Sequence, residues 1–293
     1  MLVSTQTWKL HEYYGMERAV EMLIEAGWDA IDISIFKTDD VPFTDDYREV
    51  AARLLEMAKP HGVKFVQAHA PFGGGFEKYV NEKVPLLPRV FEFCSLLGIE
   101  SVVVHPVQNG IYYGRQEELF QYNLEFYRGL APLAKQYGVK IAIENMWQRN
   151  RKGGYIIDDV LAPPEELARM YDELADPEAF TVCLDLGHVA LCNREPQDAI
   201  RIIGGERLGC LHIHDVDYKD DLHTMPGVAK INWLEVCRAL ADVDYKGHFN
   251  LEADMFFAGF LPEHHPLCAK FMCDASRIFA DKIEELRKVK EEA

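Results

Sequence analysis

Residues Thr181–His188 read TVCLDLGH. Thr181 to Leu184 form a short, nearly continuous β-branched and apolar run, the pattern of a strand buried on both faces, as in a parallel sheet. The run stops at Asp185, and His188 follows three residues later. Similar runs recur at Met1–Thr5, Asp29–Ser34, Val63–Ala68, Ser101–Val104, Lys140–Ile143, Leu208–Ile213 and His248–Leu251. Between them the apolar residues take helical spacing. These stretches cover Met16–Ala26, Asp45–His61, Val84–Leu97, Glu117–Tyr137, Pro164–Leu174, Pro196–Ile203, Asn232–Ala241 and Glu263 to about Lys288. Gly62, Gly98, Gly138 and Gly204 stand where helices stop. Eight such units in 293 residues predict an α/β fold, a (β/α)8 TIM barrel, with 1–293 as a single domain. The other α/β architecture, a doubly wound open sheet, needs a glycine-rich phosphate loop after its first strand. STQTWKLHEYYG, at residues 4–15, is not one.

Composition narrows the function. The chain is 48% hydrophobic and 27% charged, which excludes a disordered or low-complexity protein. It carries 31 Lys+Arg against 48 Asp+Glu, a net charge of −17. Nucleic-acid surfaces need clustered cations, so a nucleic-acid partner is disfavoured. No run approaches the roughly 18 apolar residues of a membrane span, so no membrane partner is expected. Seven cysteines, an odd number without a CxxC pair, and an N-terminus unlike a secretory signal point to the reducing cytoplasm.

Barrel enzymes place their chemistry at the C-terminal ends of the strands. FVQAHAP puts His69 there, VVVHP His105 and IAIEN Glu144. VCLDLGH supplies Asp185 and His188. LHIHD supplies His212, His214 and Asp215, and the DDLH that follows supplies Asp221 and His223. FNLEAD supplies Glu252 and Asp254. A ring of carboxylates and imidazoles at one end of a barrel repels itself and is costly to desolvate without a cation. A divalent metal relieves both problems, and mixed O/N donors suit Zn, Mn or Co, with Mg also considered. His214 shares strand parity with His212 and can brace the inner ligands, with Asp215 the alternative. His11, His61, His248, His264 and His265 fall in loops, helix ends or a strand start and carry no functional expectation.

Among aromatics near the mouth, Trp8 and Trp147 follow strand ends most closely and are expected at the substrate, ahead of Phe72, Tyr112, Tyr113, Phe256 and Phe257. WQRNRKGGY, residues 147–155 with Arg149, Arg151 and Lys152, is expected to be a solvated flexible loop, the alternatives being an anion-binding lid for a phosphorylated sugar or a DNA contact. His69 and Arg149 join Trp8 and Trp147 as expected substrate contacts. Gly73–Gly75 suggests a mobile loop beside His69, since no helix-opening GK[ST] follows.

With these residues placed, the chain resembles the xylose-isomerase-like barrel superfamily. That group includes sugar phosphate isomerases and epimerases, ketose 3-epimerases and AP endonucleases of the endonuclease IV type. The resemblance runs from Val3 to about Leu286 on AHAP, VVHP, IAIEN, LDLGH, LHIHD, DLHTMPG with a following INW, and NLEAD. From the epimerase branch it implies one metal held by Glu144, Asp185, His212 and Glu252, with the two glutamates moving protons and His188 touching substrate. From the endonuclease branch it implies three zinc ions. His69, His105 and Glu144 would hold one, Glu144, Asp185, His212 and Glu252 the second, and His188, Asp221 and His223 the third. Ketose 3-epimerases also carry an arginine soon after the strand-seven histidine, whereas this chain reads HDVDYKDDLH. The loops PFGGGFEKY and PVQNGIYYGR have aromatics but little of the positive charge of a DNA-binding rim.

The expectation is therefore a metal-dependent sugar or sugar phosphate isomerase or epimerase working through an enediolate. Glu144 and Glu252 are its acid and base, and its substrate is a small carbohydrate or polyol with no organic cofactor. Homo-oligomer formation is left open. The alternative is a multi-zinc phosphodiesterase acting on abasic DNA. A non-enzymatic binding barrel would lack one or more central ligands, and none is missing.

Overall fold

The computed structural model describes residues 1–150 and 152–291. Eight parallel strands form the barrel: β1 Val3–Gln6, β2 Ala30–Ser34, β3 Lys64–His69, β4 Ser101–Val104, β5 Lys140–Glu144, β6 Phe180–Asp185, β7 Leu208–His212 and β8 Phe249–Leu251. Their order is β8-β1-β2-β3-β4-β5-β6-β7. The ring closes beyond β7, where Ile213 N–H donates to Asn250 O (3.0 Å) and Glu252 N–H donates to Ile213 O (3.0 Å). The eight-fold alternation read from the sequence is thus the architecture.

Strands β3, β5 and β6 each run one residue past their apolar cores. Ladder pairing continues through Ser34 with His69, Glu144 with Cys183, and Asp185 with His212. His69, Glu144 and Asp185 are therefore held by the sheet itself, and side-chain polarity was a poor guide to where the ladder stops. Helix starts differ where proline intervenes. Val84–Leu86 is a tight turn, and the helix proper is Leu87–Leu97 with Pro88 in its first turn. Tyr47–Ala58 stops before Pro60.

Most of the core lies between strands and helices, with Trp28, Tyr127, Tyr245, Phe91, Phe93, Phe120, Phe180 and Phe249 its largest fully buried members. Inside the barrel a small apolar group, Val103, Ala142, Cys183 and Cys210, packs separately. A polar group shares the interior: Gln67 Nε2 and Asn250 Nδ2 both donate to Asp32 Oδ2 (2.9 and 2.8 Å), and Ser4 Oγ donates to Asn250 Oδ1 (2.7 Å).

Two connections shape the mouth. After β5, Trp147–Arg149 pairs antiparallel with Ile156–Asp158, so the stretch expected to be a flexible loop is a hairpin. Asn150 Oδ1 accepts from Lys152 N–H (3.0 Å) and Gly153 N–H (2.9 Å), and Gly154 takes φ +71° to turn the chain. Arg151 lies outside the described residues. Arg194 pins the hairpin by donating twice to Asp158 (2.6 and 2.9 Å), and the Tyr113 hydroxyl donates to the same carboxylate (3.3 Å). After β7, fully buried Asp215 accepts from six donors: the N–H groups of Val216, Gly227, Ala229, Lys230 and Ile231, and the Trp233 indole. Among the described residues, no helix is long and apolar enough to cross a membrane.

Asp215→Ala would leave buried backbone donors without an acceptor, and each such orphan costs about 1–3 kcal/mol. A loss of about 3 kcal/mol or more in urea unfolding is expected; a change below about 0.5 kcal/mol would contradict the role given to this side chain. Arg194→Ala, in a partly exposed pair, should cost about 1 kcal/mol at neutral pH. Burial alone would raise the Asp158 carboxyl, but Arg194 outweighs it and holds the group below the ordinary range. A depressed carboxyl stabilises above its unfolded pKa and loses that contribution as pH falls through the folded value. The gap between wild type and variant should therefore close on acidification toward pH 3, read by urea midpoints across pH.

Candidate metal centre

Ten side chains at the C-terminal ends of the strands gather in adjoining clusters. His69 ends β3, His105 follows β4 and Glu144 ends β5. His69 Nδ1 lies 2.8 Å from Ala70 O, and a carbonyl only accepts, so Nδ1 carries the proton and Nε2 is left with its lone pair. That Nε2 sits 3.0 Å from His105 Nε2 and 3.8 Å from Glu144 Oε2. Glu144 Oε2, 2.8 Å from His105 Nε2, accepts no aligned hydrogen bond although fully buried. Burial pushes the His105 imidazole down to about 4 against the opposing pull of Glu144.

Glu144 also joins the second cluster. Its Oε1 lies 2.6 Å from His212 Nδ1, with Glu252 Oε2 at 3.1 Å and Asp185 Oδ2 at 4.0 Å from the same nitrogen. The two glutamates are pushed apart in acidity. Burial would raise Glu144, but His212 and His105 outweigh it and hold it well below the carboxylate range. Burial dominates at Glu252 and pushes it well above that range, despite His212 and His223.

The third cluster is His188, His214, Asp221 and His223. His188 Nδ1 donates to Asn145 O (2.9 Å) and His223 Nδ1 to Glu252 O (2.9 Å), which leaves both Nε2 atoms as donors to a cation. Burial would raise Asp221, but His223, whose Nε2 is 3.2 Å away, brings it down to about 2. His214 Nε2 donates to Asp185 (3.0 Å), and its ring stacks flat on His223 with centroids 4.0 Å apart. Parallel stacked rings cannot both point nitrogens at one ion, so His214 braces Asp185 and His223. Gly187 makes room for it: a Cβ there would lie 2.0 Å from His214 Cε1. Asp215, the alternative brace, instead spends its oxygens on the loop that carries Asp221 and His223.

Above the clusters lies a cavity of about 400 Å3, walled by Phe72, Gln108, Met146, Trp147, Gln148 and Arg149. Phe36 and Phe72 each pack 5.0 Å from the His69 ring. Trp8, expected at the substrate, does not line the cavity; it packs behind Phe36 at 4.7 Å because the chain turns outward into a helix straight after β1. Phe256 packs on Phe260 and Phe271, away from the mouth. Arg149 reaches the rim half-exposed, donating to Gly154 O (3.1 Å). Sequence reasoning passed over Gln108, Gln148 and Phe36, which are set by loop geometry. It also passed over Asn145, whose amide clasps the Asp185 backbone (2.8 and 3.0 Å) and whose only signal was adjacency to Glu144.

The donor set fits a divalent cation. Four acidic side chains and several imidazoles converge, two carboxylate oxygens, Glu144 Oε2 and Asp221 Oδ1, are buried without an aligned partner, and such groups are costly without a cation. Imidazole donors suit Zn and other late transition metals better than Mg.

The sequence profile of the xylose isomerase-like TIM barrel matches residues 20–257. D-psicose 3-epimerase of Enterocloster bolteae is 24% identical over 251 residues, covering 82% of this chain and 77% of that one. The crystal structure of a D-tagatose 3-epimerase-like protein superposes with a TM-score of 0.70 at 22% identity, over 98% of this chain and 99% of that one. IOLI protein with a bound zinc atom gives 0.69 at 19% identity, over 98% and 99%. At such identities the structural likeness speaks for the fold, and the profile, which spans most of the barrel, decides the kinship: the chain belongs to the xylose isomerase-like TIM barrel family.

Proposed function

We propose that this chain, acting as one domain over 1–293 in the cytoplasm, is a metal-dependent isomerase or epimerase of a sugar or sugar-like polyol. It would move a proton through an enediolate. The observation that carries this is the placement of Glu144 and Glu252, from β5 and beyond β8, against the same His212 nitrogen. Two carboxylates reach one reaction centre from different sides, and their environments drive their acidities in opposite directions. That is the arrangement by which one group takes a proton while the other returns it. Relatives that are sugar epimerases, and a zinc-bearing neighbour of the same fold, support the substrate class and the metal.

Glu144, Asp185, His212 and Glu252 would hold the principal ion, with His69, His105, His188, Asp221 and His223 available for further ions. A bound divalent cation supplies Lewis acidity, polarising a carbonyl and acidifying the C–H beside it. The chain does the rest. Glu144 and Glu252 hold and move the proton, and His188 stands at the cavity wall to contact the substrate. The Gln108 and Gln148 amides offer hydrogen bonds to hydroxyls. Phe72 and Trp147 give the cavity an apolar flank. Arg149 is the only Arg or Lys among the described lining residues, which favours an uncharged sugar over a phosphate ester.

A second reading, abasic-site phosphodiester hydrolysis, draws support from the three adjoining clusters, which bring together all nine positions of a three-ion set. The scarcity of cations at the mouth and the net charge of −17 oppose it.

Glu144→Gln should lower kcat roughly 10^2–10^4-fold, the range of a lost acid–base group, in a ketose interconversion assay followed by NMR. Full activity in that variant would remove Glu144 from the mechanism. Chelation should abolish turnover, and Mn, Co or Zn should restore it; activity that survives complete metal removal would sink the metal requirement. Incubation with an abasic duplex should leave the strands intact. Nicking at catalytic enzyme concentrations would select the second reading.

A further inference from the structure

Beneath the central cluster lies a carboxylate that the proton transfers above do not use. Asp32, on β2, is 1% exposed. Its Oδ2 accepts from Gln67 and Asn250, while Oδ1 has no hydrogen-bond partner. Ser4 Oγ donates to Asn250 Oδ1 (2.7 Å), which fixes the way that amide faces and commits its N–H to Asp32. Asp32 is thus oriented by two amides and still has an acceptor to spare. His212 stands beside it, with Nε2 4.0 Å from Asp32 Oδ2.

We propose that Asp32 is a positioning residue for His212: its carboxylate takes the ring's Nε2–H, so that Nδ1 offers a lone pair to a divalent ion between Glu144 and Glu252. This rests on the metal-centre reading above. A neutral imidazole has one N–H, and its neighbours decide which nitrogen carries it. Nδ1 faces two carboxylate oxygens at 2.6 and 3.1 Å. Without a competitor the proton stays there and blocks the nitrogen that an ion would need. A buried carboxylate on the far side supplies the competitor. Drawing the ring toward Asp32 closes the 4.0 Å gap to hydrogen-bond distance and opens room between the glutamates. The Cys183 thiol also neighbours His212 and Glu144, but a thiol is a weak acceptor beside a carboxylate.

The test measures zinc affinity of metal-stripped protein by competition with a chromophoric chelator, in wild type, Asp32→Asn and Cys183→Ala. Asp32→Asn keeps the shape and an acceptor for the two amides. It should bind zinc about 10- to 100-fold more weakly, the usual cost of losing a partner to a ligand histidine. Cys183→Ala should bind as wild type does. In zinc-loaded wild type, NMR of 15N-labelled histidine should find the His212 proton on Nε2. That measurement needs no variant and decides the matter if Asp32→Asn does not fold. Unchanged affinity in Asp32→Asn, a loss confined to Cys183→Ala, or a His212 proton on Nδ1 would each overturn the role of Asp32 while leaving the metal centre standing. Failure of wild type to take up zinc would overturn the metal-centre reading and this proposal with it.

Discussion

The site hangs on one buried carboxylate. Glu144 turns one oxygen to His69 and His105 and the other to His212, so two clusters share a single side chain. A charge in so dry a place survives only with compensation from every side. The surrounding imidazoles supply part of it, and three imidazoles of the site are tied back to the scaffold. His69 is held by Ala70 O, and His188 by Asn145 O. His223 is held by Glu252 O. The backbone carbonyls of the strand ends thereby select which nitrogen of each ring faces inward.

The barrel makes this economical. Parallel ladders carry His69, Glu144, Asp185 and His212 to the same level without any loop having to find its place. His105 and Glu252 follow directly on β4 and β8, and His188 lies in the short helix Leu186–Leu191, whereas Asp221 and His223 come from a long connection, and there the work passes to Asp215. Its six accepted hydrogen bonds replace the ladder as the source of rigidity. His214 then joins the two regions, hydrogen-bonded to Asp185 and stacked on His223.

Much of this was legible in the residues. Apolar runs that end in His, Glu or Asp mark both the strand and the side chain it delivers, so the barrel and the nine converging donors could be read together. What stayed hidden depends on three-dimensional relations that no local pattern encodes. Asp32 sits in an apolar run like any other strand residue, and only its neighbours across the barrel, Gln67 and Asn250, distinguish it. Trp8 has the sequence position of a substrate contact, yet the helix that begins at that residue carries it behind Phe36. The hairpin at Trp147–Arg149 was obscured by glycines and charges that look like a loop. Its stability comes from Arg194, far along the chain.

The placement of the four tryptophans has an optical consequence. Trp28 and Trp233 are buried in the outer core at 2% and 5% exposure, and Trp8 is packed against Phe36. Trp147 alone lines the cavity, with its ring 6.3 Å from that of His188. The protein thus carries a built-in fluorophore at the mouth of its centre, against a background of three indoles that do not line the cavity. Occupancy can be followed by intrinsic emission, without a label and independently of turnover.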